Sequence, residues 1–308
     1  MRFIAVDWGT SRVRVYLVAG GEVVAAAAAD DGIGGLRTGD HPAVFDRLCG
    51  DWLGAEPILP VILVGMVGSR EGWFPAPYVE CPAGAAEIAS TLLAVDLGRG
   101  RRGFVVPGLV AQAGHRVDVM RGEETHLFGC GVADGLVCLP GTHCKWAELR
   151  DGRVTRFATF MTGEMHALLR THSMIGRPAT EPADPDGFAA GLDASADGGG
   201  LLHQLFGARA ATVTGRLAPA ALGPFLSGLL TGAEIAGARA TFGLPGHVTI
   251  VADDPRAQLY VQALAREGVA TSTVGQDATL LGGLARILAA RADPSVGIGS
   301  HHGSEPMP

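Results

Sequence analysis

Phe3-Ile4-Ala5-Val6-Asp7-Trp8-Gly9-Thr10-Ser11-Arg12 begins as an apolar run and ends in an acid and a glycine turn, after which Val13–Val18 is apolar again. This reads as strand, tight turn, strand. Glycine lets a backbone approach a polyanion closely, and the amides and hydroxyls that follow can bond phosphate oxygens. An Asp at the strand end, Asp7, can hold Mg²⁺ through that ion's waters, because Mg²⁺ keeps most of its shell. Alone, the hexapeptide also suits a plain hairpin opened by Asp.

The pattern recurs. Leu136–Leu139 is a buried-type strand that runs into Pro140-Gly141-Thr142-His143-Cys144-Lys145, and Trp146–Leu149 with Val154–Phe157 form a hairpin about Asp151-Gly152. Two Gly-Thr turns at matching places predict a duplicated α/β unit: an N-terminal half over 1–134, a C-terminal half over 135–292 with a helical insertion, and a disordered tail over 293–308. In the first half, strands are predicted at Phe3–Asp7, Val13–Val18, Val23–Ala28, Val61–Val64 and Gly103–Val106, with helices over Pro42–Leu53, Ala83–Leu97 and Glu123–Val132. In the second, helices are predicted over Gly163–Thr171, Phe225–Phe242, Arg256–Glu267 and Ala278–Arg291. Strands fall at Val248–Ala252 and Ala270–Val274, and 193–200 reads as a loop.

Three further stretches carry chemistry. Met120-Arg121-Gly122-Glu123-Glu124-Thr125 precedes a helix; acids in a first turn are ordinary dipole partners, and equally a carboxylate there can serve as general base for a hydroxyl. Gly65-Met66-Val67-Gly68-Ser69-Arg70-Glu71-Gly72-Trp73 follows a buried-type strand, where α/β sheets bind ligands. Ser69 and Arg70 suit a hydroxyl and a carboxylate, with Trp73 as a wall; the alternative is a glycine-rich connection whose tryptophan packs. Glu164, after the potential cap Thr162, is either a second substrate or metal ligand or a dipole partner. Lys145 is the sole lysine of the chain, which favours a charge role over that of an ordinary hairpin residue.

Composition narrows the classes. Of 308 residues, 47% are hydrophobic and 18% charged, the signature of a globular chain. A formal net charge of -7 with no Lys/Arg run excludes a nucleic-acid face. Five cysteines with no CxxC pair argue for reduced thiols in the cytoplasm and against a zinc framework. No export signal is read at the N-terminus, and no apolar run is long enough to span a bilayer.

In this order the motifs resemble the sugar kinase, actin and heat-shock ATPase superfamily, whose members have two ribonuclease-H-like lobes around a nucleotide cleft. DWGTSRVR (7–14), GMVGSREGW (65–73), VMRGEETHLFG (119–129), LPGTHCKW (139–146), FMTGEMHALL (160–169) and FLSGLLTGAEI (225–235) are similar to the 2-dehydro-3-deoxygalactonokinase family, from Phe3 to about Leu288. The resemblance implies ATP-Mg²⁺-dependent phosphorylation of 2-dehydro-3-deoxy-galactonate at its 6-hydroxyl, in galactonate breakdown. It implies that Gly9, Thr10, Ser11 and Arg12, with Gly141, Thr142 and His143, meet phosphates, and that Asp7 orders the Mg²⁺ shell. Glu123 is then the base with Glu124 beside it, Lys145 or Arg12 stabilises the transferring group, and Ser69, Arg70, Trp73, Arg121 and Glu164 hold the sugar acid, Arg70 taking its carboxylate.

Two departures shift roles. The superfamily's second phosphate motif usually has an Asp shortly before Gly-Thr, where this chain has Cys138 and Leu139; the acid role therefore moves to Glu123 or Glu124. The usual glycine-rich adenosine turn is replaced by Asp253-Asp254-Pro255, so Gly232 and Glu234 are expected to wall the base and ribose. Rival readings are a kinase for the gluco epimer, an exopolyphosphatase-like phosphohydrolase, and a nucleotide-dependent switch without catalysis. The sequence leaves the oligomeric state open, a homodimer included.

Overall fold

In the computed structural model, which describes residues 2–292, the opening apolar run is strand β1 (Arg2–Trp8), buried along nearly its whole length. It is followed by β2 (Val13–Ala19), β3 (Glu22–Ala29), α1 (His41–Ala55), β4 (Val61–Gly65), β5 (Tyr78–Glu80), α2 (Ala85–Ser90), β6 (Leu93–Gly98), β7 (Arg101–Val105), β8 (Gly108–Ala113), β9 (Arg116–Met120) and α3 (Glu123–Gly129). One sheet has the order β3-β2-β1-β4-β7-β6, and a smaller one the order β5-β8-β9. The first three strands form an antiparallel meander, and β4 joins β1 in parallel. All five residues of β4 are buried, as a strand covered on both faces requires.

The second half repeats this plan. It comprises β10 (Gly135–Leu139), β11 (Cys144–Arg150), β12 (Arg153–Phe160), α4 (Thr162–His172), α5 (Asp186–Ser195), α6 (Gly200–Val213), α7 (Pro219–Phe242), β13 (His247–Val251), α8 (Arg256–Arg266) and β14 (Ala270–Val274). The sheet order is β12-β11-β10-β13-β14, with β13 parallel to β10 and β14 parallel to β13. Leu169 of α4, Leu205 of α6 and Leu222, Leu226 and Leu229 of α7 form a core of their own, while Phe188 and Leu192 of α5 join the core of the sheet. Pro224 sits inside α7. It cannot donate to the Ala220 carbonyl, which instead accepts the Asp184 N–H at 3.0 Å.

Among the described residues the chain divides into two compact units: 2–133, 150–156 and 277–292 form one, 134–149 and 157–276 the other. The last helix, α9 (Gln276–Ala292), thus belongs from Asp277 onward to the first unit, where the sequence reading put it with the second half. Its packing explains this: Gly129 of α3 and Gly283 of α9 lie against each other's backbones. The helix expected over Ala83–Leu97 ends at Ser90, and Leu93, Val95 and Leu97 then alternate inward as β6 beside β7. The loop read at 193–200 begins only after α5 ends at Ser195. The tail over 293–308 lies outside the described residues.

Candidate active site

In the first unit, Asp7 stands one residue from the end of β1, opposite Arg14 of β2 and Val64 of β4. The turn after it is closed by the Gly9 N–H donating to the Arg12 carbonyl at 2.9 Å. It rests on the 32–34 segment, with the Ile33 and Gly34 N–H groups donating to the Gly9 and Thr10 carbonyls. Thr10, Ser11 and Arg12 are exposed. The Arg12 guanidinium pairs with Asp30 at 2.9 Å on the surface.

Glycines bring the acidic pair to this strand end. Gly65, at φ 93°, ends β4; a methyl group on it would lie 2.9 Å from the Trp8 carbonyl oxygen and 3.5 Å from Asp7 Oδ1. A methyl group on Gly122, at φ 108°, would lie 3.3 Å from the Gly65 Cα. Both conformations are ones that glycine adopts without strain. Asp7, Gly65 and Gly122 therefore lie side by side, with Glu123 and Glu124 next in the chain.

The two glutamates differ. Glu124 is fully buried; it accepts the Gly122 N–H at 2.7 Å and the Thr125 hydroxyl at 3.2 Å. Burial, then the neighbouring charge of Glu123, pushes its carboxyl up to about 8. Glu123 is half-buried and accepts the Arg121 N–H at 3.0 Å.

The substrate candidates separate similarly. Arg70 is exposed. Ser69 is buried, and its hydroxyl has no hydrogen-bond partner among the described residues. Arg121 stacks its guanidinium 4.2 Å over the Tyr78 ring and donates to the Ala76 carbonyl at 2.8 Å. Its Nε and Nη1 are buried without partners there, with Nη1 against Gly68. Trp73 is half-buried and packs on Phe74, Phe45, Trp8 and His41, against the edge of the core.

In the second unit, the Gly141-Thr142 turn joins β10 to β11. The first turn of α4 abuts it: the Glu164 N–H donates to the Thr142 carbonyl at 3.0 Å, and Gly163 leaves no room for a side chain against the Gly141 carbonyl. A pocket of about 260 Å³ opens beside the turn, lined among others by Gly141, Thr142, Thr162, Thr231 and Arg256. His143 Nε2 and Glu164 Oε2 lie 2.5 Å apart on the exposed side of the turn's neighbours. The size and the lining of glycine amide, hydroxyls and one arginine fit a phosphate chain.

Three expected residues lie elsewhere. Lys145 is buried, its Nζ donating to the His143 carbonyl at 3.1 Å, because the side chain folds back on its own turn. Gly232 faces Ser195 of α5, where a methyl group would meet the serine Oγ at 2.0 Å. Glu234 is buried and accepts from Trp146 Nε1 and the Tyr260 hydroxyl, each at 2.8 Å. Arg256, Thr162 and Thr231 were not among the expected residues. The signal for Arg256 was its place at the start of the helix after β13, where parallel strands deliver ligand contacts.

Among the described residues no three His, Cys, Asp or Glu side chains gather as a metal cage. A single carboxylate such as Asp7 suits Mg²⁺, which takes most of its ligands from water and phosphate. No helix among the described residues is long and apolar enough to cross a membrane.

Comparison with known proteins agrees with these motifs. The chain is 36% identical over 296 residues to the 2-dehydro-3-deoxygalactonokinase of Escherichia coli (strain K12), covering 95% of this chain and 99% of that one. It is 38% identical over 305 residues to a protein of Rhizobium meliloti (strain 1021) named probable 2-dehydro-3-deoxygalactonokinase, covering 94% and 97%. A crystal structure of a candidate 2-dehydro-3-deoxygalactonokinase from Sinorhizobium meliloti superposes with a TM-score of 0.81 at 33% identity, covering 94% and 96%. The activator of 2-hydroxyisocaproyl-CoA dehydratase from Clostridium difficile, solved with ADPNP, shares the fold at a TM-score of 0.51 and 14% identity, covering 94% and 96%. The likeness to that activator is one of fold alone. The 2-keto-3-deoxy-galactonokinase profile matches residues 7–287, which span both Gly-Thr turns and the acidic pair, and the chain belongs to that family.

Proposed function

We propose that this protein is an ATP-dependent kinase that phosphorylates 2-dehydro-3-deoxy-D-galactonate at its 6-hydroxyl. The observation that carries the reading is the contact of Asp7, Gly65 and Gly122, which sets a metal-type carboxylate beside an acidic pair of unequal character. Family membership supports a kinase over a phosphohydrolase.

Phosphoryl transfer asks a protein to orient and deprotonate the acceptor hydroxyl and to stabilise charge on the phosphate. Glu123, half-buried and free of its neighbour's burial, takes the hydroxyl proton. Glu124, protonated up to about pH 8, holds the 122–125 turn instead. Asp7, fixed by Arg14, would hold Mg²⁺ through water; the ion supplies charge neutralisation at the phosphates when bound. Gly141, Thr142 and His143 of the second unit supply amides and side chains for phosphate oxygens, and Gly9, Thr10, Ser11 and Arg12 offer groups of the same kind in the first. Arg256, at the pocket, takes the charge role first given to Lys145. Arg70 takes the sugar-acid carboxylate, with Ser69 beside it and Glu164 near a sugar hydroxyl.

An ADP-release assay with and without the sugar acid, run over the galacto and gluco epimers, tests this. ADP release that depends on the galacto acid supports it. Release indifferent to sugar acid would make the protein a phosphohydrolase and end the proposal.

A further inference from the structure

The second phosphate turn is held from beneath by a chain of buried polar groups that no step of phosphoryl transfer uses. The Gly141 N–H donates to Cys144 Sγ at 3.4 Å, and the sulfur lies 3.3 Å from the Gly141 carbonyl oxygen. The thiol donates to the Tyr260 hydroxyl oxygen at 3.1 Å, and that hydroxyl donates to Glu234 Oε2 at 2.8 Å. The other Glu234 oxygen accepts from Trp146 Nε1 at 2.8 Å. Cys144, Trp146, Glu234 and Tyr260 are all at most 4% exposed. The chain thus ties β11, α7 and α8 to one glycine.

Apolar side chains would fill this space without the cost of burying a carboxyl, so the polar choice calls for a reason. Its geometry supplies one. Gly141, Cys144 and Tyr260 line the 260 Å³ pocket, as does Thr231, one helical turn before Glu234. A glycine has no side chain of its own to fix the backbone of its turn. The sulfur contacts both polar atoms of Gly141, and the Tyr260 hydroxyl fixes where that sulfur sits. Burial raises the Cys144 thiol to about 11 and raises the Glu234 and Tyr260 groups as well, so thiol and phenol keep their protons at neutral pH and the chain stays intact.

We propose that Glu234 is a positioning residue which, through Tyr260 and Cys144, anchors the Gly141 backbone and so sets the Gly141-Thr142 turn for Thr142 to donate to a phosphate oxygen of the nucleotide. This rests on the reading of Gly141-Thr142 as a phosphate turn. It moves Glu234 from a nucleotide contact to a group that acts through two others.

The working variants are Tyr260→Phe and Cys144→Ala, since each removes one link and keeps most of the packing, whereas Glu234→Ala strands two buried donors and threatens the fold. Affinity for a non-hydrolysable ATP analogue is measured by calorimetry, with KM for ATP and for the sugar acid alongside. Each single variant is expected to weaken analogue binding and raise the ATP KM by about five- to twentyfold, the value of one or two hydrogen bonds. The sugar-acid KM stays unchanged, and the double variant is no worse than either single one, because both cut the same chain. Cys144→Ser, which keeps a donor and acceptor, restores most of the affinity. Folded Tyr260→Phe and Cys144→Ala proteins with unchanged analogue affinity would overturn the proposal, as would a loss of kcat at constant KM. Thr142→Val separates the two levels. If it weakens binding while the chain variants do not, the positioning role fails and the phosphate turn stands; if it too leaves binding unchanged, both fail.

Discussion

Arg14 grips a single oxygen of Asp7. Its Nε and Nη2 both donate to Oδ2, at 3.1 and 2.7 Å, while Oδ1 lies toward Gly65. Arg14 Nη1 donates at 3.2 Å to Asp277, which also accepts the Tyr16 hydroxyl at 2.9 Å. Two donors on one oxygen anchor that oxygen and leave the other for a ligand. Asp7→Asn is expected to lower kcat by about a hundredfold or more and to raise the Mg²⁺ concentration for half-maximal rate, because it removes the charge and keeps the shape. Asp277→Asn, which loosens Arg14 only, should cost less than about tenfold. A Mg²⁺ titration of the rate checks both, and an Asp277→Asn protein indistinguishable from wild type would show that Arg14 gets no orientation from Asp277.

The acidic pair predicts two different mutants. Glu123→Gln should lose about two to four orders of magnitude in kcat with ATP still bound, the value of a general base. Glu124→Gln keeps turnover within about tenfold, since a neutral acid is replaced by a neutral amide. Near-normal turnover of Glu123→Gln would remove it as base.

Glu124 also sets a pH dependence of stability. Its folded carboxyl is raised to about 8, above the unfolded value, so the protonated form is the one the fold prefers. Its contribution is complete at pH below the unfolded value. It then falls as pH rises toward 8, because only the unfolded chain gives up the proton easily. By pH 7 the loss is on the order of 3 kcal/mol. Denaturation at pH 5 and pH 8 should therefore show the wild-type protein losing more stability than Glu124→Gln across that interval. Parallel curves for the two proteins would show that Glu124 is ionised in the fold.

How much of this was legible depended on the range of the interactions. The β1 turn, the β10–β11 turn and the all-buried β4 follow from local pattern: apolar runs cut by Gly-Thr, and an unbroken Val-Ile-Leu-Val. Strand β6 was hidden because Thr91 to Gly98 is short and rich in helix-favouring Ala and Leu, so that its inward alternation took effect only beside β7. Strands β8 and β9 were hidden by weak alternation, with Ala, Gln and Arg between the valines. The acidic pair, Asp7 and both Gly-Thr turns stood out as motifs. The burial of Lys145 and the partners of Glu234 did not, since the latter are set by residues 26 and 88 positions away. Trp73 shows the same limit: a tryptophan after a glycine-rich loop reads alike as wall or core until its ring neighbours are known.

Two arginines offer a test of the substrate end. Arg70 is exposed, and Arg70→Ala should raise the sugar-acid KM by about ten- to a hundredfold with the ATP KM unchanged. Arg121 instead supports the 66–69 turn and the Ala76 carbonyl and covers Tyr78. Arg121→Met should therefore lower stability by about 1–3 kcal/mol through the stranded carbonyl and lost stacking. Steady-state kinetics with both substrates and a melting curve separate the roles. A sugar-specific KM effect in Arg121→Met with unchanged stability would exchange them.

The same Gly→Ala change should have opposite signs at two helical positions. At Gly129 of α3 a methyl group would lie 1.8 Å from the Thr279 carbonyl oxygen, and at Gly283 of α9 it would lie 1.8 Å from the Thr125 carbonyl oxygen. The helices cross backbone to backbone there, close to the His126 Nδ1–Thr279 Oγ1 contact of 2.8 Å. Neither helix can yield without moving the acidic pair at the other end of α3. Gly129→Ala should thus destabilise by about 1–3 kcal/mol or more and also slow turnover. Gly207 of α6 has nothing within 4 Å of its added methyl group and is exposed. There alanine should stabilise by about 0.5–1 kcal/mol, because it restricts the unfolded chain and favours the helix. Thermal unfolding of the two single variants decides the matter: a Gly129→Ala protein as stable as Gly207→Ala would mean that α9 does not rest on α3 through these glycines.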